Sequence, residues 1–347
     1  MYESFFGLRE RPFDLTPNPR YLVLTDAHRE ALSNLDYGIA SRKGITLLLG
    51  EAGTGKTTLI RAALERQPER VHCVHLQNPA LTRPEFVEML ACQFGLSERA
   101  QGSKTAFLLE IEALLTRRKA IGDSSVLIVD EAQSLTLELL EEVRLLANME
   151  TSDEKLLPVI LAGQPELADR LNESALRQLK QRIALRCQLG ALTRQETLAY
   201  VAGRIRTAGG AGARTFTRDA VVLIHERARG IPRTISVIAD NALLTGFAAG
   251  QRPVGAEIVE EVCRDLNLAA GGEPAPESLG LHAFPPEPGV DRTIPKVDRI
   301  GPGRLITFDA NPLRDGAQGR ASRPEVAVAA PRRWRFLSLL NGWGVRG

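Results

Sequence analysis

This sequence has few cysteines, little net charge and no long apolar run. Its 347 residues include four cysteines, far apart and without metal-ligand spacing, and its formal net charge is +2. The cysteines are typical of reduced thiols in a cytosolic protein, and the charge does not favour a strongly basic nucleic-acid-binding protein. No run approaches the about 18 apolar residues that span a bilayer, and the first residues do not resemble a signal peptide. We therefore expect a cytoplasmic protein.

The composition changes near residue 269. Residues 271–347 hold 10 of the 20 prolines and carry 11 Lys and Arg against 8 Asp and Glu, which leaves 33 against 34 for residues 1–270. Such a segment buries too little apolar surface to offset its ordering entropy, so we predict a disordered tail over 269–347. Its end, residues 332–343, is a short basic amphipathic segment. That segment suits peripheral membrane contact or a protein partner, and equally no function at all.

Strands and helices alternate before that break. Short apolar runs typical of buried parallel strands occur at residues 45–49, 71–76, 126–129, 158–162 and, more weakly, 184–189. Only helical patterns follow Thr193, which forms a Thr-x-x-Glu capping box with Glu196. We predict an α/β domain with a five-stranded parallel sheet over residues 1–190 and an all-helical domain over 191–268.

A phosphate-binding loop follows the first strand pattern. The motif G-x-x-x-x-G-K-[ST] is matched by Gly50, Glu51, Ala52, Gly53, Thr54, Gly55, Lys56 and Thr57, with Thr58 continuing into a helical pattern. Its glycines let backbone N–H groups converge on phosphate oxygens at a helix N-terminus. We expect Lys56 to reach the β- and γ-phosphates of ATP and the Thr57 hydroxyl to bind Mg²⁺.

Two carboxylates, Asp130 and Glu131, end the strand pattern at 126–129. Alone, an Asp-Glu pair often caps the next helix, but the loop upstream favours a catalytic role. We expect Asp130 to hold Mg²⁺ and Glu131 to activate water against the γ-phosphate. Together with Lys56, they predict an ATPase that hydrolyses the β–γ phosphoanhydride bond.

Four further polar residues have weaker signals. Gln164 follows the strand pattern at 158–162, where it could contact the γ-phosphate or serve as an ordinary loop residue. Arg177 and Arg182 belong to a basic helix end that is either a solvated face or a source of an arginine finger for a neighbouring subunit. Arg233 occupies the first turn of a helix, where the helix dipole disfavours a cation unless a phosphate lies nearby.

This combination resembles the AAA+ ATPases of the initiator and clamp-loader type. The resemblance implies that Gln164 is sensor 1, Arg233 sensor 2, and Arg182 the arginine finger with Arg177 second. It also implies that Asn78 switches the catalytic glutamate. A ring-like homo-oligomer with shared nucleotide sites follows from the same resemblance.

The N-terminus and several internal segments narrow the resemblance to the general secretion pathway protein A family. They are residues 1–8 (MYESFFGL), 11–13 (RPF), 130–133 (DEAQ) and 163–167 (GQPEL), and the resemblance covers residues 1 to about 268. It implies that Arg11, Pro12 and Phe13 lie beside the adenine, although the aromatic residues could instead fix the N-terminus to the core. Longer members continue into a transmembrane helix and a peptidoglycan-binding region. Because a Pro-rich tail stands there in this sequence, we do not expect direct peptidoglycan binding.

The resemblance implies an ATPase that assembles or remodels a cell-envelope secretion, pilus or exopolysaccharide/exosortase system. The alternative is a DNA-associated ATPase of the transposition-helper type, which shares the Asp-Glu-Ala-Gln motif and the helical domain. The near-neutral charge of residues 1–270 argues against DNA. A nucleotide-gated scaffold with little turnover is a third possibility, and Glu131 argues against it.

Overall fold

The computed structural model of the protein describes residues 1–77 and 80–268. The predicted tail, its amphipathic end and Asn78 lie outside the described residues. The strands are β1 (Ile45–Gly50), β2 (Val71–Leu76), β3 (Ser124–Val129), β4 (Val159–Gly163) and β5 (Ile183–Leu189). The helices are α1 (Tyr2–Phe6), α2 (Asp26–Ala40), α3 (Lys56–Glu65), α4 (Arg83–Phe94), α5 (Glu98–Gly102), α6 (Lys104–Ala120), α7 (Leu137–Ala147), α8 (Pro165–Arg170), α9 (Arg177–Lys180), α10 (Arg194–Thr207), α11 (Gly212–Thr215), α12 (Arg218–Ala228), α13 (Pro232–Ala248) and α14 (Ala256–Asp265).

The five strands form one sheet in the order β2-β3-β4-β1-β5, and every neighbouring pair is parallel. The predicted five-stranded parallel sheet is therefore confirmed, including the weakly signalled β5. Strands β1, β3 and β4 are almost continuously apolar because helices cover both faces of the sheet. Leu47 and Leu49 face a core shared with α4, α6 and α7. Leu48 points to the other face, where α2 and α3 pack.

The carboxyl ends of β1, β3 and β4 meet at one edge of the sheet, because parallel strands all run in the same direction. Leu49 at the end of β1 pairs with Gly163 at the end of β4. Val129 at the end of β3 lies within the same row, since it pairs with Leu161 of β4. The loops that follow these strands therefore converge at this edge, where ligands bind in open α/β sheets.

Helices α10–α14 form a separate core after β5, as the sequence predicts. We call residues 191–268 the lid. The capping box at its start is present, since the Thr193 N–H donates to the Glu196 carboxylate at 2.8 Å and the Glu196 N–H donates to Thr193 Oγ1 at 3.2 Å. Among the described residues, no helix combines the length and the apolarity needed to cross a bilayer.

The N-terminal segment packs on the lid core. The side chains of Tyr2, Phe6 and Phe13 are buried with the apolar residues of α10–α14. The Phe13 ring lies 6.3 Å from the Phe216 ring at an interplanar angle of 72°, an edge-to-face contact. The first residues of the chain are thus fixed to the lid, and the segment that follows them crosses toward the sheet.

Candidate active site

The loop after β1 has the backbone shape of a phosphate cradle. We call residues 50–57 the P-loop. Gly53 and Gly55 have φ of +80° and +100°, a region that residues with a Cβ rarely adopt. A Cβ on Gly50 would lie 2.7 Å from Thr54 Oγ1 and 2.9 Å from the Leu189 carbonyl oxygen. The loop then enters α3 at Lys56, so that a helix N-terminus faces the same space.

Lys56 is buried at the base of this loop. Only 4% of its surface is exposed, and its Nζ donates to the carbonyls of Gly50 at 2.7 Å and Glu51 at 3.2 Å. Burial lowers the pKa of Lys56, and the carboxylates of Glu131 and Asp130 partly oppose that shift. A desolvated ammonium beside the N-terminus of a helix is suited to an anion such as a triphosphate.

Thr57 and Asp130 bring two oxygens together beside the P-loop. Thr57 Oγ1 donates to Asp130 Oδ2 at 2.6 Å, and 3% of the Asp130 surface is exposed. Asp130 Oδ1 accepts from the backbone N–H of Glu131 at 3.0 Å, which fixes the orientation of the carboxylate. One carboxylate and one hydroxyl are a donor set that fits Mg²⁺, which usually keeps waters and phosphate oxygens as its other ligands.

Glu131 lies next to this pair in a strained backbone conformation, with φ 52° and ψ 39°. Left-handed backbone in a non-glycine residue is often associated with a functional site. Its carboxylate Oε2 accepts from Gln133 Nε2 at 2.6 Å and from Gln164 Nε2 at 3.4 Å. The structure therefore brings Gln164 to Glu131, as expected for residues that follow neighbouring parallel strands.

Arg233 reaches the P-loop through its main chain. Pro232 begins α13, and the Arg233 N–H donates to the Gly53 carbonyl at 3.1 Å. A Cβ on Gly53 would lie 2.6 Å from the Arg233 Cβ. The exposed Arg233 side chain lines the cleft between the P-loop and the lid. This placement suits contact with a bound phosphate.

The cleft has a volume of about 340 Å³, within the range of ordinary small-molecule pockets. Three parts of the chain form its walls: the sheet edge, the N-terminal segment over residues 14–23, and the lid. Its lining residues are Asp14, Leu15, Thr16, Pro17, Asn18, Tyr21, Leu22, Val23, His28, Gly53, Thr54, Gly55, Lys56, Thr57, Thr58, Glu131, Leu192, Tyr200, Arg204, Pro232, Arg233 and Ser236.

Pro12 and Phe13, which are predicted to contact the adenine, are not among the residues that line the cleft. Both residues are buried away from the cleft wall, and Phe13 packs in the lid core. Arg11 is exposed and pairs with Glu3 at 3.3 Å. The N-terminal residues that line the cleft begin at Asp14, directly after the predicted ones.

Arg177 and Arg182 lie away from the cleft of their own chain, and both are exposed. The Arg182 carbonyl accepts from the Ile45 N–H at 3.2 Å, at the amino end of β1. The six residues of β1 thus separate Arg182 from the P-loop by about 20 Å. Neither arginine is among the residues that line the cleft.

Sequence reasoning missed three residues at the site. Gln133 contacts Glu131 as described above. Arg204 donates to the carbonyls of Pro12 at 2.5 Å and Asp14 at 3.0 Å, and so holds the N-terminal wall of the cleft on α10. His28 Nε2 donates to the Thr54 carbonyl of the P-loop at 3.4 Å. No local pattern could have identified Arg204 or His28, because their partners are distant in sequence.

Comparisons with known proteins identify relatives of this chain. Residues 39–171 match the model of the AAA domain family. General secretion pathway protein A of Aeromonas hydrophila is 42% identical over 271 residues, which are 78% of this chain and 48% of the relative. The chain thus spans about half the length of that relative.

Two solved structures share the fold. The ORC2 protein of Aeropyrum pernix has a TM-score of 0.56 at 19% identity, covering 75% of this chain and 72% of that one. Cdc6p of Pyrobaculum aerophilum has a TM-score of 0.56 at 15% identity, covering 73% and 70%. At such low identity these two likenesses concern the fold alone.

Proposed function

This chain belongs to the AAA family of P-loop ATPases, as a relative of general secretion pathway protein A, and we propose that it hydrolyses the β–γ bond of Mg-ATP. The observation that carries the proposal is the 2.6 Å contact between Thr57 and Asp130 directly beside Glu131. Lys56, Thr57 and Glu131 line one cleft there, and Asp130 lies against Thr57. This is the set of groups that phosphoryl transfer to water requires.

Each group has a distinct task in that reaction. The P-loop N–H groups and Lys56 bind the phosphate oxygens, and burial strengthens their attraction because little water screens it. Thr57 and Asp130 would hold Mg²⁺, which when bound neutralises charge on the β- and γ-phosphate oxygens. Glu131 would accept a proton from the attacking water, and Gln164 would orient the water or the γ-phosphate.

The lid and a neighbouring subunit would complete the site. Arg233 lines the cleft from the lid side, where a cation would meet the phosphates. Arg182 is exposed about 20 Å from its own P-loop, a position that suits contact with a neighbouring subunit. We therefore propose a ring-like homo-oligomer in which Arg182, or Arg177 beside it, acts as an arginine finger in trans.

The name of the relative supports a role for this hydrolysis in secretion. We propose that ATP turnover drives assembly or remodelling of a cell-envelope secretion apparatus, with the chain peripheral at the inner membrane. The 42% identity across 78% of this chain supports a shared ATPase mechanism. Deletion of the gene should impair assembly of that apparatus, and a copy encoding Glu131→Gln should not restore it. Full restoration by Glu131→Gln would contradict a role for hydrolysis.

Purified protein tests the chemistry directly. Wild type should release phosphate from Mg-ATP, whereas Lys56→Ala should lose nucleotide binding because the phosphates lose their buried cation. Glu131→Gln should bind ATP with unchanged affinity and lose turnover by about 100-fold or more. Glu138→Gln, an exposed residue in the first turn of α7, makes the same chemical change away from the cleft. Equal turnover by Glu131→Gln and Glu138→Gln would contradict the proposed role of Glu131.

A further inference from the structure

Gln133 connects two residues of the proposed hydrolytic site. Its Nε2 donates to Glu131 Oε2 at 2.6 Å, and its Oε1 accepts from the backbone N–H of Gln164 at 3.1 Å. One side chain therefore joins the loop after β3 to the loop after β4. The contact to Glu131 is shorter than the 3.4 Å contact that Gln164 itself makes with the same oxygen.

The orientation of the Gln133 amide is fixed by its partners. A carboxylate oxygen can only accept, and a backbone N–H can only donate. The amide nitrogen must therefore face Glu131 and the amide oxygen must face Gln164. A glutamate at this position could satisfy the N–H of Gln164, but it would place a second carboxylate against Glu131.

The surroundings of Gln133 keep it in place. The Arg170 guanidinium donates to the Gln133 main-chain carbonyl at 2.5 Å. A Cβ on Gly163 would lie 3.0 Å from Gln133 Oε1, so the glycine at the end of β4 leaves the space that the amide occupies. Gln133 lies in the middle of the short 3-10 turn Ala132–Ser134.

We call the contacts of Gln133 with Glu131 and Gln164 the clamp. The clamp contacts one oxygen of Glu131. Both amide donors, from Gln133 and Gln164, meet Oε2. These two hydrogen bonds fix the orientation of the carboxylate.

We propose that Gln133 is a positioning residue that holds the Glu131 carboxylate for attack by water and ties it to Gln164. The inference rests on the proposed ATPase function. Gln133 is not among the residues that line the cleft, so it acts through Glu131. A displacement of the loop after β4 would be transmitted to the base through the Gln133 amide.

Three variants test the clamp by steady-state hydrolysis and by nucleotide affinity. Gln133→Ala should lower kcat by about tenfold or more, with KM and the Kd for ATP within about twofold of wild type. Gln133→Glu should be at least as damaging, since it replaces the donor with a second carboxylate. Gln251→Glu makes the same change in an exposed turn after α13, and it should leave kcat unaltered. Thermal melting of each variant shows whether a loss of activity is caused by unfolding or by the loss of the Gln133 contacts.

A double-mutant cycle gives a readout that a purely structural role would not move. Without the Glu131 carboxylate there is nothing to position, so Gln133→Ala should cause no further loss in a Glu131→Gln background. Single-turnover phosphate release measures these slow rates. Equal losses in both backgrounds would overturn the clamp, as would a kcat for Gln133→Ala within twofold of wild type or above it.

The outcomes distinguish a failure of this inference from a failure of the proposed ATPase function. Active wild type, inactive Glu131→Gln and fully active Gln133→Ala would overturn the clamp and leave the ATPase intact. Wild-type protein without Mg-ATP turnover would contradict both.

Discussion

The main-chain N–H of Arg233 donates to the Gly53 carbonyl at 3.1 Å, so the first turn of lid helix α13 lies directly on the P-loop. This hydrogen bond joins the element that binds phosphate to the element that closes the cleft. Movement of the lid relative to the sheet must therefore either carry the P-loop with it or break this contact. We therefore predict that nucleotide binding and lid position are coupled at this point.

Gly53→Ala should weaken nucleotide binding by about tenfold or more, or ~1.4 kcal/mol. The new Cβ would lie 2.6 Å from the Arg233 Cβ and 3.2 Å from Ile231 Cγ2, so the lid would have to move off the P-loop. Fluorescent ADP and ATP analogues would measure the affinity.

Gly95→Ala is the matched control for Gly53→Ala. Gly95 has φ +71°, close to that of Gly53, but its added Cβ would meet nothing within 4 Å. Both substitutions carry the strain of a positive φ, about 1–2 kcal/mol. Only Gly53→Ala should weaken nucleotide binding. Equal affinities for the two variants would contradict the coupling between lid and P-loop.

Thr57→Val should abolish the response of hydrolysis to magnesium, because the hydroxyl that pairs with Asp130 at 2.6 Å is lost. Thr57→Ser keeps the hydroxyl and should retain most of the activity. The measurement is phosphate release across a magnesium titration, with chelator as the zero point. Wild-type turnover that is unaffected by chelator would contradict the magnesium site.

Arg204→Met should lower the free energy of unfolding by about 3 kcal/mol, since it removes a buried cation and its hydrogen bonds to buried carbonyls. It should also weaken nucleotide binding, because Arg204 holds the N-terminal wall of the cleft through the Asp14 carbonyl. Arg206→Met, on the exposed side of the same helix, is the control. Urea unfolding and nucleotide titration would measure both effects. Identical behaviour of the two variants would contradict this role of Arg204.

The stability of the protein should fall as the pH drops below 6.5, and His28 should contribute to the fall. Burial lowers the pKa of His28 below its ordinary value of 6.5, despite the Thr54 carbonyl and Glu196. The unfolded chain therefore takes up a proton at a pH where the folded chain does not, which favours unfolding. Below the folded-state pKa both forms are protonated. The stability that neutral His28 contributes at higher pH is then fully lost.

His28→Gln should make the free energy of unfolding less dependent on pH between 6.5 and 5. Urea unfolding at several pH values would measure the slope for wild type and variant. Equal slopes would show that His28 makes no such contribution.

The parts of the site that depend on local sequence could be predicted. The strand-loop-helix context identifies Lys56 and Thr57, and the apolar run before Asp130 and Glu131 places them at the sheet edge. Parallel strands also explain why Gln164 reaches Glu131, because residues that follow neighbouring strands share an edge. These interpretations need only the period of the apolar residues and the direction of the strands.

The parts of the site that depend on packing could not be predicted from the sequence. Phe13 was expected beside the adenine, yet its ring fills the lid core and the cleft wall begins one residue later. Arg204 is one charged residue among several in α10, and its partner Asp14 lies 190 positions away. The role of Gln133 depends on the left-handed backbone at Glu131, which no residue pattern signals.

Mixing two inactive variants tests the shared hydrolytic site most directly. Glu131→Gln lacks the base and Arg182→Ala lacks the proposed finger, so each should be inactive alone. In a mixed ring, an Arg182→Ala site next to a Glu131→Gln subunit contains every group. Phosphate release by an equal mixture should recover toward roughly one quarter of the wild-type rate, the share of complete sites under random assembly. A mixture as inactive as its parts, or an Arg182→Ala protein as active as wild type, would contradict the shared site.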